Sequence, residues 1–482
     1  MSIPLKYPCL LMIVLVGAIS RSAAAADSPD ERPNILFIMV DDLGKEWIGC
    51  YGAQGIETPH IDALAAGGMQ FENAYSMPQC TPSRVTLLTG QYPFRHGWTN
   101  HFDVPRWGSG AHFDPEQNAS FARVVRDAGY ATAAAGKWQI DDFRVEPNAM
   151  HEVGFDEWCM WTGFEEGNRP SAERYWDPYI HMRDRESKTH RGKFGPDLYC
   201  DFLIDFMRRH RDQPMLLYFP LALTHTPFVN TPDEPDAQSN LDRHKAMVRY
   251  TDKLVGRLVA ALDETGLRNR TLIIFTTDNG TVPGIHGRRL GRSVNGGKTK
   301  HSEAGTAMPF IVNAPGMVPK GVVTDALTDF TDILPTFAEL AGGTLDEQYV
   351  VDGHSIAPLL LGKATDTPRK WILAMGGSPA AFRDNRITPA SNYDDRVIRD
   401  KRWKLWIDSQ AQPEKLFDLR NDPWETTNLI SSDDQEAKAA RDRLLAVIEA
   451  MPDKDAAPRY RRNPAQEWDK FDYVDASQKE KD

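Results

Sequence analysis

The run NILFIMV at Asn34–Val40 is apolar after its first residue and stops at Asp41-Asp42. A stretch without polar alternation reads as a strand buried on both faces, as in a parallel sheet. Met215–Leu221 and Thr271–Thr277 read the same way, with Phe310–Asn313 a shorter candidate. Helical periodicity appears over Asp197–His210, Lys245–Glu264 and Asp332–Leu340, between or after those strands. Strands alternating with helices predict an α/β fold, an α/β/α sandwich around a large, mostly parallel sheet. Gly342-Gly343 and the prolines from Pro358 to Pro368 place the end of this domain near residue 365. The texture then changes. VIR, WKLWI and KLFDL within Arg396–Asp418 are short runs that predict an antiparallel meander, and the amphipathic stretch Asp434–Met451 is expected to pack on it. Residues 366–452 therefore read as a smaller C-terminal α+β subdomain, and 453–482 as a charged, surface-hugging or frayed tail.

One further apolar run, Cys9–Ile19, follows Lys6 and precedes Ala23–Ala26. A charged start, a short apolar core and small residues predict a signal peptide over 1–26, with the catalytic domain over 27–365. Its 11 residues fall short of the ~20 a spanning helix needs. The expectation is an exported chain, periplasmic or secreted, with no transmembrane helix. Over 482 residues the net charge is −12 with no long basic run, which argues against nucleic acid as a partner. Five scattered cysteines without C-x-x-C exclude tandem zinc modules and a disulfide scaffold.

Asp41 and Asp42 close the first strand, and Asp278 and Asn279 close Thr271–Thr277. Ligands in open α/β sheets bind at carboxyl ends of strands, so two such ends can converge. Three carboxylates and an amide oxygen are hard donors suited to Ca2+ or Mg2+; taken singly, each pair equally well opens a turn. Asn279-Gly280-Thr281 also has the glycosylation pattern, which a buried ligand could not use. Cys80-Thr81-Pro82-Ser83-Arg84 predicts a helix start with Thr81 as its cap and Pro82 at the first helical position. Cys80 would then lie at a helix N-terminus.

C-x-P-x-R followed by L-x-T-G resembles the signature of the type I sulfatases of the alkaline phosphatase superfamily. The similarity runs from PNILFIMVDD to KLFDLRNDPWETTNL, through GYATAAAGKW, HTPF, TTDNG, GGKTKHSEAG and DGHSIAPLLLG. It implies a sulfuric ester hydrolase in which Cys80 is converted to Cα-formylglycine by a formylglycine-generating enzyme. It further implies that Asp41, Asp42, Asp278 and Asn279 bind a divalent cation, usually Ca2+, which also contacts the modified Cys80. Arg84 would orient the modified residue, Lys137 and Lys298 hold the sulfate oxygens, and His225 stand beside the leaving oxygen. With Cys80 so committed, Cys50, Cys159 and Cys200 permit at most one bridge.

The chain departs from the family at Gln139, where G-K-W is commonly followed by histidine. Glutamine can hydrogen-bond the substrate or the modified residue but cannot take a proton at neutral pH. His286, His301 and Asp141 are alternative bases. Glu303–Pro309 also lacks the arginine of the usual E-G-G-x-R-x-P. Trp98, Trp107, Trp158, Trp161 and Trp176, with Arg169, Arg174 and Arg183, suggest a sulfated carbohydrate over a simple aryl sulfate; core packing accounts for such tryptophans equally well. Two rival functions are a phosphonate or phosphodiester hydrolase with the same chemistry and a catalytically silent carbohydrate-binding homologue.

Overall fold

Strand β1 (Asn34–Val40) is buried along its whole length, with alternate residues feeding two separate cores. Ile35, Phe37 and Met39 pack under helices α1 (Cys80–Thr89) and α4 (Ile333–Ala341). Leu36, Ile38 and Val40 pack under α2 (Gly195–Arg209) and α3 (Asn240–Glu264). This is why the run shows no polar alternation: each face of the pleat meets a helical layer. The structure is a computed structural model that describes residues 32–100, 112–161, 174–377, 380–383, 386–389 and 391–464. The leader expected at 1–26, Trp107, Arg169 and residues 465–482 lie outside them.

The other strands of the main sheet are β2 (Met69–Tyr75), β3 (Ala131–Lys137), β4 (Glu157–Trp161), β5 (Tyr179–Met182), β6 (Lys188–Thr189), β7 (Met215–Leu221), β8 (Thr271–Thr277), β9 (Phe310–Asn313) and β10 (Val322–Asp329). They form ten strands in the order β10, β2, β9, β8, β1, β7, β3, β4, β5, β6. The centre, from β8 to β4, is parallel. β9 runs antiparallel to both β8 and β2. The reason is local: the chain between β8 and β9 stays at one end of the sheet as a hairpin and a loop, with no crossover helix to return it for a parallel pairing.

The C-terminal meander forms from β12 (Arg396–Arg399), β13 (Trp403–Ile407) and β14 (Pro413–Asp418), and an additional edge strand, β11 (Ile372–Met375), pairs with β12. Helix α5 (Gln435–Glu449) begins after Asp434, whose side chain accepts from the Glu436 N–H, and buries Ala437, Ala440, Leu444 and Ile448 against this sheet. The segment beyond 453 is docked where described: Asp455 pairs with Arg396 at 2.7 Å, and Tyr460–Arg461 pairs with His112–Phe113. Cys50, Cys80, Cys159 and Cys200 are all free, so the bridge the spare cysteines would permit is absent. No helix among the described residues is long and apolar enough to cross a membrane.

A buried ionic network joins the two sheets. Lys404 on β13 lies 3.0 Å from both Glu303 and Glu425, and Arg399 on β12 lies 3.1 Å from Glu303, which the Tyr75 hydroxyl also reaches. Removing one partner strands the others as buried charges. Lys404→Met is therefore expected to cost about 3–5 kcal/mol of unfolding free energy, read by chemical denaturation; a loss below about 1 kcal/mol would mean the network relaxes into water. Burial opposes ionisation of Glu303, but Lys404 and Arg399 outweigh it and hold the carboxyl at about 2 against its ordinary 4.5. Its stabilising contribution is thus complete above pH 4.5 and lost as pH falls towards 2.

Candidate active site

Register brings the acidic pairs together. Val40 stands opposite Thr277 on one side and Leu221 on the other, so Asp41 and Asp278 leave the sheet side by side. The Asp278 N–H donates to Val40 O at 3.0 Å, and the Asp41 N–H to Leu223 O at 2.9 Å. The carboxyl ends of four adjacent strands deliver Lys137 from β3, His225 after β7, Asp41 and Asp42 from β1, and Asp278 and Asn279 from β8. Gly136 allows the close approach before Lys137, since a Cβ there would fall 2.2 Å from Pro220 O. Gly280 does the same beside Asn279, where a Cβ would meet Ala304 O at 1.9 Å.

Cys80 arrives from β2 at the first residue of α1. The Ser83 N–H donates to Gln79 O at 3.1 Å, so Gln79 is the cap and the helix starts one residue before the expected Thr81 cap. Pro82 therefore takes the third position, where its missing N–H still costs no helical bond. The Ser83 hydroxyl donates to Asp278 O at 2.5 Å and fixes the helix start against β8.

Around Cys80 Sγ lie Lys298 Nζ at 3.4 Å, Asp41 Oδ1 at 3.5 Å and Asp42 Oδ1 at 3.9 Å. Lys137 Nζ meets Asp41 Oδ2 at 2.5 Å, and Lys298 Nζ meets Asp42 Oδ1 at 2.7 Å. Arg84 binds Asp278 Oδ2 at 2.8 Å and donates to Lys137 O at 3.0 Å. Asn279 Nδ2 donates to Asp42 Oδ1 at 2.7 Å. His225 Nε2 stands 3.8 Å from Asp42 Oδ2, and its Nδ1 meets Thr226 O at 2.6 Å. Asp41, Asp42, Cys80, Arg84, Lys137, His225, Asp278, Asn279 and Lys298 thus meet in one cluster. The Lys298 loop is tied on two sides, Lys298 N–H to Thr281 O at 3.0 Å and Thr299 N–H to Pro78 O at 2.8 Å. Asp42, Gln139 and Thr299 all have φ in the left-handed region, at 60°, 77° and 71°. Such positions gather where a site over-determines the backbone.

Burial opposes charge on Asp41, yet Lys137, His225, Arg84 and Lys298 hold its carboxyl well below the usual range. Asp278 goes the other way, to about 7, through burial and the neighbouring Asp41. Burial also pushes the Cys80 thiol up and the His225 imidazole down.

The donor set fits a hard divalent cation. Ligand atoms of Asp41, Asp42, Cys80 and His225 all lie within 4.8 Å of one another. Asn279 Oδ1 is buried and accepts no hydrogen bond, an orphan that a cation would satisfy. Both carboxylate oxygens of Asp278 are already engaged, by the Asp42 N–H and by Arg84. Asn279 is fully buried, so its glycosylation pattern is out of reach of a transferase.

Gln139 follows the end of β3, half-buried. Of the alternative bases, His286 is exposed on a hairpin, and Asp141 is engaged by Trp138 Nε1 at 2.6 Å with burial pushing its carboxyl well up. His301 is buried edge-on to Trp406, and burial pulls its pKa to about 4. Trp98 and Trp158 belong to the core, not to a sugar platform; Trp176, at 39% exposure, is the one large exposed aromatic among the described residues. Sequence reasoning missed Thr281 as a positioning residue: its hydroxyl donates to Glu46 and accepts from the Gly44 N–H, bracing the loops after β1 and β8.

The family model for Sulfatase matches residues 33–343, and that for the C-terminal part of N-sulphoglucosamine sulphohydrolase matches 298–452. Steryl-sulfatase of Rattus norvegicus is 29% identical over 449 residues, covering 76% of each chain. N-acetylgalactosamine-6-sulfatase of Homo sapiens is 32% identical over 366 residues, covering 71% of this chain and 69% of that one. The crystal structure of Ps i-CgsB in complex with k-i-k-neocarrahexaose aligns with TM-score 0.73 and 26% identity over 90% of this chain and 95% of that one.

Proposed function

Because the chain belongs to the sulfatase family and is a sulfuric ester hydrolase, we propose that it releases sulfate from a sulfated carbohydrate at Cys80, matured to formylglycine, beside a bound Ca2+. The observation that carries this reading is the placement of Cys80 Sγ between Lys298 and the Asp41–Asp42 pair. Asp41, Asp42 and Asn279 would hold the cation, with Asp278 set against it by Arg84; Mg2+ suits the same donors. When bound, the cation and the formylglycine supply charge neutralisation and an oxygen nucleophile.

The remaining work falls to this chain's own side chains. A sulfate monoester resists attack because its oxygens are anionic, so cations aimed at those oxygens lower the barrier. Lys137 and Lys298 each have three N–H donors, and pairing with one carboxylate leaves donors for a sulfate oxygen. Arg84 ties the carbonyl of Lys137 to the carboxylate of Asp278 and so fixes both relative to α1. His225 turns Nε2 towards the site while its Nδ1–H donates to Thr226 O, so the neutral ring stands beside the leaving oxygen as a hydrogen-bond acceptor, and the N–H donors there come from Lys298. Gln139 contributes hydrogen bonds and no proton acceptor. A sugar substrate is supported by the relatives named for sugar sulfates, and export by the Cys9–Ile19 run and Ala23–Ala26.

Two measurements test this together. The Cys80 peptide from the native host should be about 18 Da lighter than the unmodified sequence. The same protein should release sulfate from a sulfated-glycan panel, lose that activity in chelator and regain it with Ca2+. An unshifted peptide in protein that releases no sulfate would instead indicate a silent carbohydrate-binding homologue. Faster turnover of a phosphate ester than of the sulfate ester of the same alcohol would point to phosphoester chemistry.

A further inference from the structure

Tyr175, fully buried on the connection between β4 and β5, directs its hydroxyl to another element. The oxygen lies 2.7 Å from Ala222 O and 2.6 Å from His225 O, so its one proton is shared by two carbonyls of the loop after β7. Its neighbours in the chain reach the same loop. Arg174 Nη2 donates to Thr226 O at 2.9 Å, and Trp176 Nε1 donates to Asn230 O at 2.8 Å. Three consecutive side chains thus hold the backbone of residues 222–230. From the other side Thr224 ties the loop to the end of β1, its N–H to Asp41 O at 2.7 Å and its hydroxyl to Asp42 O at 3.0 Å. His225 lies between these two sets of bonds.

Thr226 O is the pivot, because it accepts both from Arg174 Nη2 and from His225 Nδ1, the latter at 2.6 Å. A carbonyl oxygen only accepts, so the proton of the neutral ring is on Nδ1 and the Nε2 lone pair faces the site. Where Thr226 O stands therefore decides how the ring is presented, and Arg174 helps to fix that place. Packing alone does not account for Arg174. It is 2% exposed, pairs with no carboxylate among the described residues, and leaves Nε and Nη1 buried without a partner. Its guanidinium lies 4.7 Å from the Trp161 ring centre and 5.6 Å from that of Tyr175, contacts that offset only part of the desolvation. A buried, unpaired cation is costly, and an apolar side chain would fill the same space better.

We propose that Arg174 and Tyr175 are positioning residues for His225, clamping its loop so that the ring presents the Nε2 lone pair to the reaction centre. They act through the backbone of the loop and touch neither substrate nor cation. This assignment rests on the sulfatase reading above and deepens it.

The test is a pair of double-mutant cycles in the full mature chain. Tyr175→Phe keeps the ring and removes the hydroxyl; Arg174→Met removes donor and charge at similar volume. Each should lower kcat on a sulfate ester about tenfold and move KM less than about twofold, the signature of a misplaced group. In a His225→Ala background the same substitutions should change kcat less than about twofold, because the group they position is gone. Equal losses in both backgrounds would show a general structural defect, and an unchanged kcat with His225 present would show that the loop holds itself; either overturns the clamp. A loss carried by KM would make Arg174 a contact of the substrate and overturn it too. Arg174→Met should melt no lower than the parent, since it removes a buried unpaired charge; a clear drop would assign the residue to packing. Nitrogen spectra of the histidine rings at about pH 8, above the ordinary imidazole pKa, give an arm that needs no turnover, with His225→Ala identifying the resonances. The parent should show a single Nδ1–H tautomer at His225, and Arg174→Met a mixture of the two. An unchanged single tautomer overturns the clamp whether or not the protein is a sulfatase. A mixture in a protein that releases no sulfate would keep the clamp and count against the sulfatase reading alone.

Discussion

Replacing Cys80 by alanine is expected to lower turnover by at least about 10⁴-fold, the scale on which loss of a covalent nucleophile is felt. The fold should survive. The substitution keeps the Cβ, improves helix propensity at the first residue of α1, and removes one buried sulfur, for about 1 kcal/mol. The anchors of the helix start lie elsewhere, in the Ser83 hydroxyl bonds to Asp278 O and Met77 O and in the Ser83 N–H bond to Gln79 O. Steady-state sulfate release and thermal unfolding, measured on the same preparation, separate the two effects. Turnover within tenfold of the parent, in a variant with unchanged melting, would remove Cys80 from the chemistry and take the formylglycine reading with it.

The strand ends were legible in the sequence because a doubly buried strand must be apolar throughout and must stop where its first charge appears. Asp41 and Asp278 mark those stops, and the parallel pairing of β1 with β8 turns two sequence positions into neighbours. Lys137, His225 and Lys298 carry no such signal of their own; only the order of the motifs singled them out. The start of α1 was displaced by two residues because Thr81 and Pro82 suit the first turn at more than one position. The tryptophans misled for a different reason: an indole has an apolar body and one polar tip, so composition cannot separate Trp98, in the core, from Trp176, on the surface. The network of Glu303, Arg399, Lys404 and Glu425 joins residues about a hundred positions apart, and no local pattern encodes that pairing.

Lys298→Ala should produce the second large effect, a fall in kcat of about 10²–10³-fold, the usual scale for removing one donor aimed at developing negative charge. Lys298 Nζ is the cation nearest Cys80 Sγ, at 3.4 Å, and it also spans the Asp42 carboxylate at 2.7 and 2.8 Å. Its own pKa is held high despite burial, chiefly by Asp42, so it stays charged throughout the working range. Removing it leaves Asp42 with the Asn279 amide and a more distant His225, and the loop keeps its backbone ties to Thr281 and Pro78. The variant should therefore fold, but melt below the parent, because buried Asp42 loses its nearest counter-charge. Lys298→Arg should not restore the rate, because a planar fork on a longer stem cannot occupy the ammonium's place between Asp42 and Cys80. If Lys298 served only to neutralise Asp42, an added excess of Ca2+ would recover most of the lost activity in Lys298→Ala. A deficit that persists at saturating Ca2+ identifies the lysine as a donor to the substrate's own oxygens.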